Sequence, residues 1–197
     1  KRQPGVVLNS SGATGSLASL FMRGTNSDHT GFYLDGRRLN PGFANQSNLE
    51  FLSVDNLSSV QVQRGASSVN YGSTGIGGVV DLQTRSDLGE TTETASVEAE
   101  VGSNDTYRGA LSASFAEEDW ALSFGASALT TDNERRNDDY ENLNLSGRFD
   151  YKLTEHLTAE LVGFISDSDK GLPDELVNHN DVDSGETESW MISPGVR

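Results

Sequence analysis

Glycine loops and paired carboxylates are the residues of this chain whose spacing could support chemistry. The stretch YGSTGIGGVVDLQT, residues 71–84, has four glycines within seven positions and then a β-rich run. Gly72 and Gly77 have the spacing of a phosphate-binding loop, but glycine stands at the next position, where that loop needs lysine. A dinucleotide fingerprint starting at Gly75 would need glycine or alanine in place of Val80, and a helix after it. The glycines are therefore predicted to let a turn approach neighbouring backbone closely before a strand begins.

Two acidic tracts carry carboxylates at alternate positions, DSDKG at 167–171 and DVDSG at 181–185. Clustered carboxylate oxygens are hard ligands of the kind that calcium takes, although neither tract has the full EF-hand pattern. The candidate calcium ligands are Asp167, Asp169, Asp181, Asp183, Asp138 and Asp139. The alternative is that these residues form solvated acidic loops without a metal.

The three histidines do not indicate a catalytic site. His29 directly follows Ser27 and Asp28, but adjacent residues on an extended chain point to opposite faces, whereas a triad needs convergence from separate segments. His156 lies in a predicted tight turn and His179 in a long acidic segment. We therefore predict that the chain is not an enzyme and requires no cofactor; calcium bound by the two acidic tracts is the one candidate.

The elements that position these residues fall into two regions of different charge. Residues 1–88 carry seven basic and six acidic side chains, whereas residues 89–197 carry seven basic and 24 acidic ones. Such asymmetry indicates two domains, and the acidic half argues against nucleic acid as a partner. The chain has no cysteine, which excludes disulfides and thiolate metal sites.

The acidic half has the alternation of β-strands with one apolar face. Six rows of alternating residues contain 28 positions, and none of these positions is charged. The rows span 95–101, 107–115, 120–128, 143–151, 157–165 and 190–196. Val162 and Phe164 break the pattern by standing on the opposite face of the fifth row. A soluble sheet over a core also alternates, so the pattern leaves a β-sandwich open.

Three features favour lipid as the medium that the apolar rows meet. A charge on a lipid face costs roughly 2–4 kcal/mol at the midplane, which accounts for uncharged rows. The predicted connections alternate between tight turns at 116–119 and 152–156 and long loops at 131–141 and 166–188. Aromatic residues such as Trp120 and Tyr151 stand near strand ends, where a membrane interface would be. Because six strands are too few to close a pore, the chain is predicted to be a fragment.

The first half contains two segments rich in glycine dipeptides, SLFMRGTNSDHTGFYLDGRRLN (19–40) and VDNLSSVQVQRGASSVNYGSTGIGGVVDLQTR (54–85). Through these segments it resembles the plug domain of TonB-dependent outer-membrane receptors. Within them Arg-Gly, Asp-Gly, Tyr-Gly and Ile-Gly-Gly follow in the family's order, and RGTNSDH and DGRRLN are most similar to the vitamin B12 receptor branch. The expected fold is a mixed α/β plug (1–88, truncated at its N-terminus) followed by about six antiparallel transmembrane β-barrel strands (89–197, truncated at the C-terminus). The plug is expected to hold a tight hairpin at Asp35-Gly36 and short helices within 52–59 and 66–72.

The resemblance implies a function and a set of partners. It implies a Gram-negative outer-membrane receptor that imports a scarce nutrient, cobalamin or a metal chelate such as a ferric siderophore. The TonB–ExbB–ExbD energy-coupling complex and membrane lipid are the implied partners. Arg23 and Arg64 match the family's plug arginines, which pair with acidic residues of the barrel wall; the alternative is that they are ordinary exposed arginines.

The outward plug loops are the expected substrate site. They comprise 9–19, 41–48 and the turn around Ser68, and small polar residues with one aromatic ring suit a bulky polar ligand. The candidate substrate-binding residues are Pro41, Gly42, Phe43, Ala44, Asn48, Ser68 and Val69. The competing hypothesis is a secreted soluble β-rich module that binds carbohydrate and has calcium-ordered loops. That module would be a soluble folded monomer, whereas the receptor would need detergent.

Overall fold

The structure, a computed structural model, describes residues 4–39, 55–65, 71, 75–173 and 184–197, and it divides the chain into two compact units. The N-terminal unit contains 1–12, 16–50 and 57–84, and the C-terminal unit contains 85–197 together with the short segments 13–15 and 51–56. Along the chain the change between units comes after Thr84, close to the predicted domain boundary at residue 88.

The N-terminal unit is built from two small sheets. Its strands are β1 (Val6–Ser10), β2 (Ala18–Met22), β3 (Thr30–Leu34), β4 (Arg37–Arg38), β5 (Leu57–Arg64) and β6 (Gly78–Thr84). Strands β1 and β2 pair with each other, and the others form a sheet in the order β4-β3-β6-β5 with β3 parallel to β6. All five residues of β3 are buried, and Val79 and Val80 of β6 are buried beside them. The core therefore lies on the two central strands, which read TGFYL and GVVDLQT.

The predicted hairpin at Asp35-Gly36 is confirmed. Both residues have positive φ, +50° and +74°, and they connect β3 to β4 with Leu34 opposite Arg37. This is the geometry that makes Asp-Gly a strong hairpin signal. The Asp35 carboxylate also accepts hydrogen bonds from the Thr84 backbone N–H (3.0 Å) and hydroxyl (2.6 Å), which fasten the turn to the end of β6.

The glycines that open β6 have the packing role predicted for them. A Cβ at Gly77 would lie 2.2 Å from the Thr25 hydroxyl oxygen. A Cβ at Gly78, whose φ is +155°, would lie 2.5 Å from the Gln63 backbone oxygen. Any larger residue would push these neighbours apart, so the close approach requires glycine.

The helical part of the expected mixed α/β fold is supported only in part within the described residues. The helix expected within 52–59 is replaced from Leu57 onward by β5, because the chain there pairs with β6. The only helix longer than one residue in the described ranges is a 3₁₀ turn at Ser27–His29. Of the helix expected within 66–72, only Tyr71 is described, and it is helical. No described helix is long and apolar enough to cross a membrane.

The C-terminal unit contains one antiparallel sheet of six strands in sequence order. Its strands are β7 (Thr92–Val101), β8 (Tyr107–Ala116), β9 (Trp120–Thr131), β10 (Tyr140–Thr154), β11 (Leu157–Gly171) and β12 (Ser184–Val196). The connections alternate in length as predicted: tight turns at 117–119 and 155–156 are at one end, and longer connections at 132–139 and 172–183 are at the other.

The two faces of this sheet differ in chemistry. The face that we call the apolar face carries exposed large hydrophobic side chains on all six strands, among them Val97, Leu111, Leu122, Leu145, Ile165 and Ile192. On β8 to β11 the polar face is largely buried and bears small or polar residues such as Ser114, Ser123, Asn144 and Ser166, with Tyr140, Val162 and Phe164 among its large members. On β7 both faces are exposed. A soluble sheet has the reverse arrangement, since it buries its apolar face.

One predicted loop is a strand instead. Residues 167–171, expected in an outer loop, form the last five positions of β11 and pair with Tyr140–Leu143 on one side and Ser184–Glu188 on the other. Hydrogen bonding to both neighbours holds this hydrophilic tract extended beyond the apolar row, and side-chain pattern alone does not reveal that pairing. The expected loop 9–19 is similarly shorter, because β1 includes Ser10 and β2 begins at Ala18.

Candidate functional site

The expected substrate positions cannot be placed. Pro41, Gly42, Phe43, Ala44, Asn48, Ser68 and Val69 lie outside the described residues, as do Asp181 and Asp183. The substrate site therefore remains a prediction from sequence.

The two arginines expected at the plug–barrel interface both contact the Pro4–Gly5 segment of the N-terminal unit. Arg64 at the end of β5 donates through Nη1 to the Pro4 backbone oxygen at 2.9 Å. Arg23 follows β2 with φ +51°, and its backbone N–H donates to the Gly5 oxygen at 2.9 Å. A Cβ at Gly65 would come within 3.2 Å of the Arg23 Nη1 atom, so the Arg23 guanidinium lies beside the residue that follows Arg64. Carboxylate partners for them remain a prediction.

The polar face of the six-stranded sheet carries a buried ion network that the sequence patterns did not single out. Arg148 binds Asp150 through Nε (2.7 Å) and Nη2 (2.9 Å), and its Nη2 also donates to Glu160 at 2.9 Å. The side chains of Arg148 and Asp150 are 4% and 1% exposed. Arg197 lies 3.6 Å from Asp150 and 3.8 Å from Glu160. Two cations therefore meet two carboxylates, which satisfies charges that would be costly alone.

Strand register explains how this network forms. Arg148 and Asp150 are two residues apart on β10, so their side chains share one face. Glu160 stands directly opposite Asp150 on β11. The signal was available in the sequence as charged residues at alternate positions opposite an apolar row, but the choice of partner depends on the pairing of the two strands.

Two further ion pairs lie toward the ends of the strands where the longer connections are. Arg108 of β8 pairs with Asp55 of segment 51–56 and lies 3.5 Å from Glu98 of β7. The Lys170 ammonium pairs with the Asp138 carboxylate and donates to the Asp138 backbone oxygen at 2.7 Å. The second pair closes connection 132–139 onto β11, and Asn133 donates to the same Asp138 oxygen at 2.6 Å.

The candidate calcium ligands are divided between the two faces of the sheet. Asp138 is buried against Lys170, so an ammonium already neutralises its carboxylate. Asp167 and Asp169 alternate with Lys170 on β11 and therefore lie on the other face. They stand opposite Glu188 and Glu186 of β12. Asp139 contributes its backbone oxygen to the Gly171 N–H at 2.8 Å. Within the described ranges, no three His, Cys, Asp or Glu side chains come together as a metal site.

One carboxyl group of the N-terminal unit, that of Asp81, has a shifted pKa. Burial raises the pKa of the Asp81 carboxyl, and the nearby Asp35 charge adds to the rise. The Gly36 backbone N–H and the Gln83 side chain act in the opposite direction, and Gly36 donates to Asp81 at 3.2 Å. The hydrogen bond from Gly36 connects Asp81 to the β3–β4 hairpin, so the ionisation of Asp81 is linked to folding stability.

Comparison with known proteins identifies the first part of the chain. Residues 1–79 match the family model described as the TonB-dependent Receptor Plug Domain. The vitamin B12 transporter BtuB of Vibrio vulnificus (strain YJ016) is 38% identical over 84 residues, which are 43% of this chain and 14% of that protein. The chain thus spans about a seventh of the length of this curated relative.

Solved structures extend the likeness to the six-stranded sheet. The ferripyoverdine receptor of the outer membrane of Pseudomonas aeruginosa, bound to ferripyoverdine, superposes with a TM-score of 0.74 at 16% identity, covering 98% of this chain and 28% of the receptor. The ferric citrate transporter FecA gives 0.69 at 21% identity, covering 86% and 28%. At such identities these structures show the fold. The family model describes a receptor domain and the curated relative is a transporter, in agreement with the expectation that the chain is not an enzyme. Residues 1–79 thus match the plug domain of TonB-dependent receptors, and the sheet that follows shares the fold of solved receptors of that kind.

Proposed function

We propose that this chain is the plug and the first six barrel strands of an outer-membrane receptor that binds a scarce nutrient and imports it with energy from the TonB–ExbB–ExbD complex. The observation that carries the proposal is the inverted polarity of the six-stranded sheet, which exposes its large hydrophobic side chains and buries its serines and ion pairs. Lipid is the medium in which such a face is stable, and the plug-domain match connects the sheet to transport.

The soluble alternative predicts a different environment for three aromatic residues. A β-sandwich would seal Trp120, Phe124 and Phe149 between two sheets. Phe124 and Phe149 are exposed and Trp120 is partly exposed. Phe149 stands opposite Leu122 on β9 and Leu161 on β11, so these residues form a continuous belt on the apolar face. The exposed aromatic residues therefore favour the receptor hypothesis over the soluble β-sandwich. We propose the outer membrane of a Gram-negative bacterium as the location of this receptor.

Cobalamin is the first substrate to test, because the vitamin B12 transporter BtuB is 38% identical to this chain over 84 residues. Ferric siderophores are the second, because the ferripyoverdine receptor shares the fold. We assign substrate binding to Pro41–Ala44, Asn48, Ser68 and Val69, where small polar residues and one ring suit a large polar chelate.

An uptake assay decides between these substrates. The complete receptor that contains this chain is expressed in cells lacking their own cobalamin receptor, and uptake of labelled cobalamin and of a labelled ferric siderophore is measured. We expect uptake of one of the two ligands, and we expect this uptake to disappear in cells without TonB. Phe43→Ala should weaken the uptake. Phe21→Ala, which removes an aromatic ring from β2 instead, is the control. A complete receptor that reaches the membrane yet imports neither ligand would contradict the substrate assignment.

We also propose calcium at the outer end of β11 and β12. Asp167 faces Glu188 and Asp169 faces Glu186, and like charges directly opposite each other repel. A divalent cation would relieve that repulsion. We propose Asp181 and Asp183 as further ligands and Asp139 as a neighbouring residue. Asp138 is not included, because its carboxylate forms an ion pair with Lys170. Calorimetric titration of the refolded receptor should give heat with millimolar Ca²⁺ that is lost in Asp167→Asn with Asp169→Asn. Equal heat in the variant would contradict these ligands.

A further inference from the structure

The three residues that follow the last strand of the N-terminal unit, Arg85, Ser86 and Asp87, are each fastened to a different strand of the six-stranded sheet. Ser123 of β9 donates to the Arg85 backbone oxygen at 2.7 Å. Ser86 donates to Asp150 of β10 at 2.7 Å. Ser114 of β8 donates to the Asp87 carboxylate at 2.6 Å, and Arg85 binds the same carboxylate oxygen at 2.8 Å. We call residues 85–87 the anchor segment.

The sheet residues that hold the anchor segment are all buried. Ser114 is 1% exposed, Ser123 is 2% exposed and Asp150 is fully buried. Ser114 and Ser123 are directly opposite each other in register, so the segment crosses the strands along one row of the polar face. Buried hydroxyls without partners are costly, which means that the segment satisfies groups that the sheet cannot satisfy by itself.

The third contact joins the segment to the buried ion network. Asp150 receives the Ser86 hydroxyl on the same carboxylate oxygen that binds Arg148 Nε. Arg148 is held in turn by Glu160, so the acceptor for Ser86 is fixed in position and orientation. A charge-assisted hydrogen bond to a fixed carboxylate is stronger than one between neutral groups.

We propose that the anchor segment is a fixed stop in the chain: when the N-terminal unit is displaced, the displacement ends at Thr84 and the chain from Arg85 onward stays fastened to β8, β9 and β10. The observations behind it are the three strand-specific contacts, the burial of their partners and the boundary between the units at this residue. Its role in transport rests on the proposed function, in which the plug is moved by energy coupling.

Amide hydrogen exchange tests the stop without substrate or energy coupling, so its outcome is separate from that of the uptake assay. In the complete receptor, amides of residues 85–90 should exchange at least tenfold more slowly than those of the exposed turn 103–105. The variant Ser114→Ala with Ser123→Ala should speed exchange at 85–90 at least tenfold. The matched control, Ser96→Ala with Ser112→Ala, removes another serine pair from the same face of β7 and β8 and should leave these residues unchanged within twofold.

A force measurement gives a second, independent readout. A handle at Leu8→Cys is unique within this cysteine-free chain, and pulling against the turn 103–105 should extend the chain between residues 8 and 85. At roughly 3.3–3.6 Å per residue this segment spans about 250–280 Å. A plateau at that length in the wild type, lost in the Ser114 and Ser123 variant, supports the stop. Extension that continues into β7 in the wild type, or equal exchange in variant and control, would overturn it.

Discussion

Replacing Leu145 with lysine tests whether the apolar face of the six-stranded sheet contacts lipid. Leu145 lies on β10, one position along the apolar face from the central Gly147 of the row 143–151. It stands between Ala126 of β9 and Ile165 of β11, and it is 43% exposed. The side chain is thus surrounded by apolar neighbours on both sides and points away from the buried polar face.

The expected cost depends on the medium. A lysine near the middle of a lipid-facing strand costs roughly 2–4 kcal/mol, which lowers the folding equilibrium constant about 30- to 900-fold. In water the same substitution on a half-exposed position would change stability by no more than about 0.5 kcal/mol. The loss of stability expected in lipid therefore exceeds that expected in water by far more than the error of an unfolding measurement.

The assay is equilibrium denaturant unfolding of the refolded receptor in lipid vesicles. Glu141→Lys is the matched control, since it places the same ammonium on the same face of the same strand, about 13 Å farther along the strand and opposite Asp169. We expect the control to lose no more than about 1 kcal/mol, because the cost falls toward the interface.

One result would refute the lipid assignment. If Leu145→Lys were as stable as Glu141→Lys in vesicles, the apolar face would not be in contact with acyl chains. The receptor hypothesis would then no longer be supported by the exposed apolar face, although the match to the plug-domain family model would remain.

Further predictions concern the ion network, the Asp81 carboxyl and the glycine turn. Arg148→Ala leaves Asp150 and Glu160 buried with less compensation, so we expect a loss of about 3–5 kcal/mol in the same unfolding assay, and a stability equal to wild type would show that the network is unimportant. Because burial raises the Asp81 pKa, the folded state holds this proton more tightly than the unfolded chain does, and stability should fall as the pH rises through the raised value. Asp81→Asn should therefore stabilise the receptor at pH 7 in thermal unfolding and flatten its pH profile above pH 3.8; destabilisation at pH 7 would contradict this. Gly78→Ala should destabilise by roughly 1–3 kcal/mol because its Cβ would strike the Gln63 oxygen, whereas Gly36→Ala provides a comparison at a turn glycine with no neighbour in reach.

Local sequence signals were sufficient for features whose cause is local. Asp35-Gly36 specifies its hairpin because both residues accept positive φ. The alternation from residue 95 onward places the strand ends within three residues, except that β11 ends and β12 begins six residues beyond the predicted rows. The alternation also assigned Val162 and Phe164 correctly to the face opposite the apolar row. The helix expected within 52–59 failed from Leu57 onward because pairing with β6 overrode a weak local preference.

Strand pairing decided what the sequence could not. Asp167–Gly171 is hydrophilic enough to be a loop, yet two neighbouring strands hold it in β11. The sequence by itself determined the Asp35-Gly36 hairpin, the six consecutive strands and which face of each strand is apolar, because period-two alternation and turn chemistry depend on near neighbours. The tertiary structure alone decided that Arg148, Asp150 and Glu160 meet, and that residues 85–87 are fastened to β8, β9 and β10. Those contacts join residues 12 to 64 positions apart, or depend on register, and a pattern along one strand carries no information about which strand lies beside it.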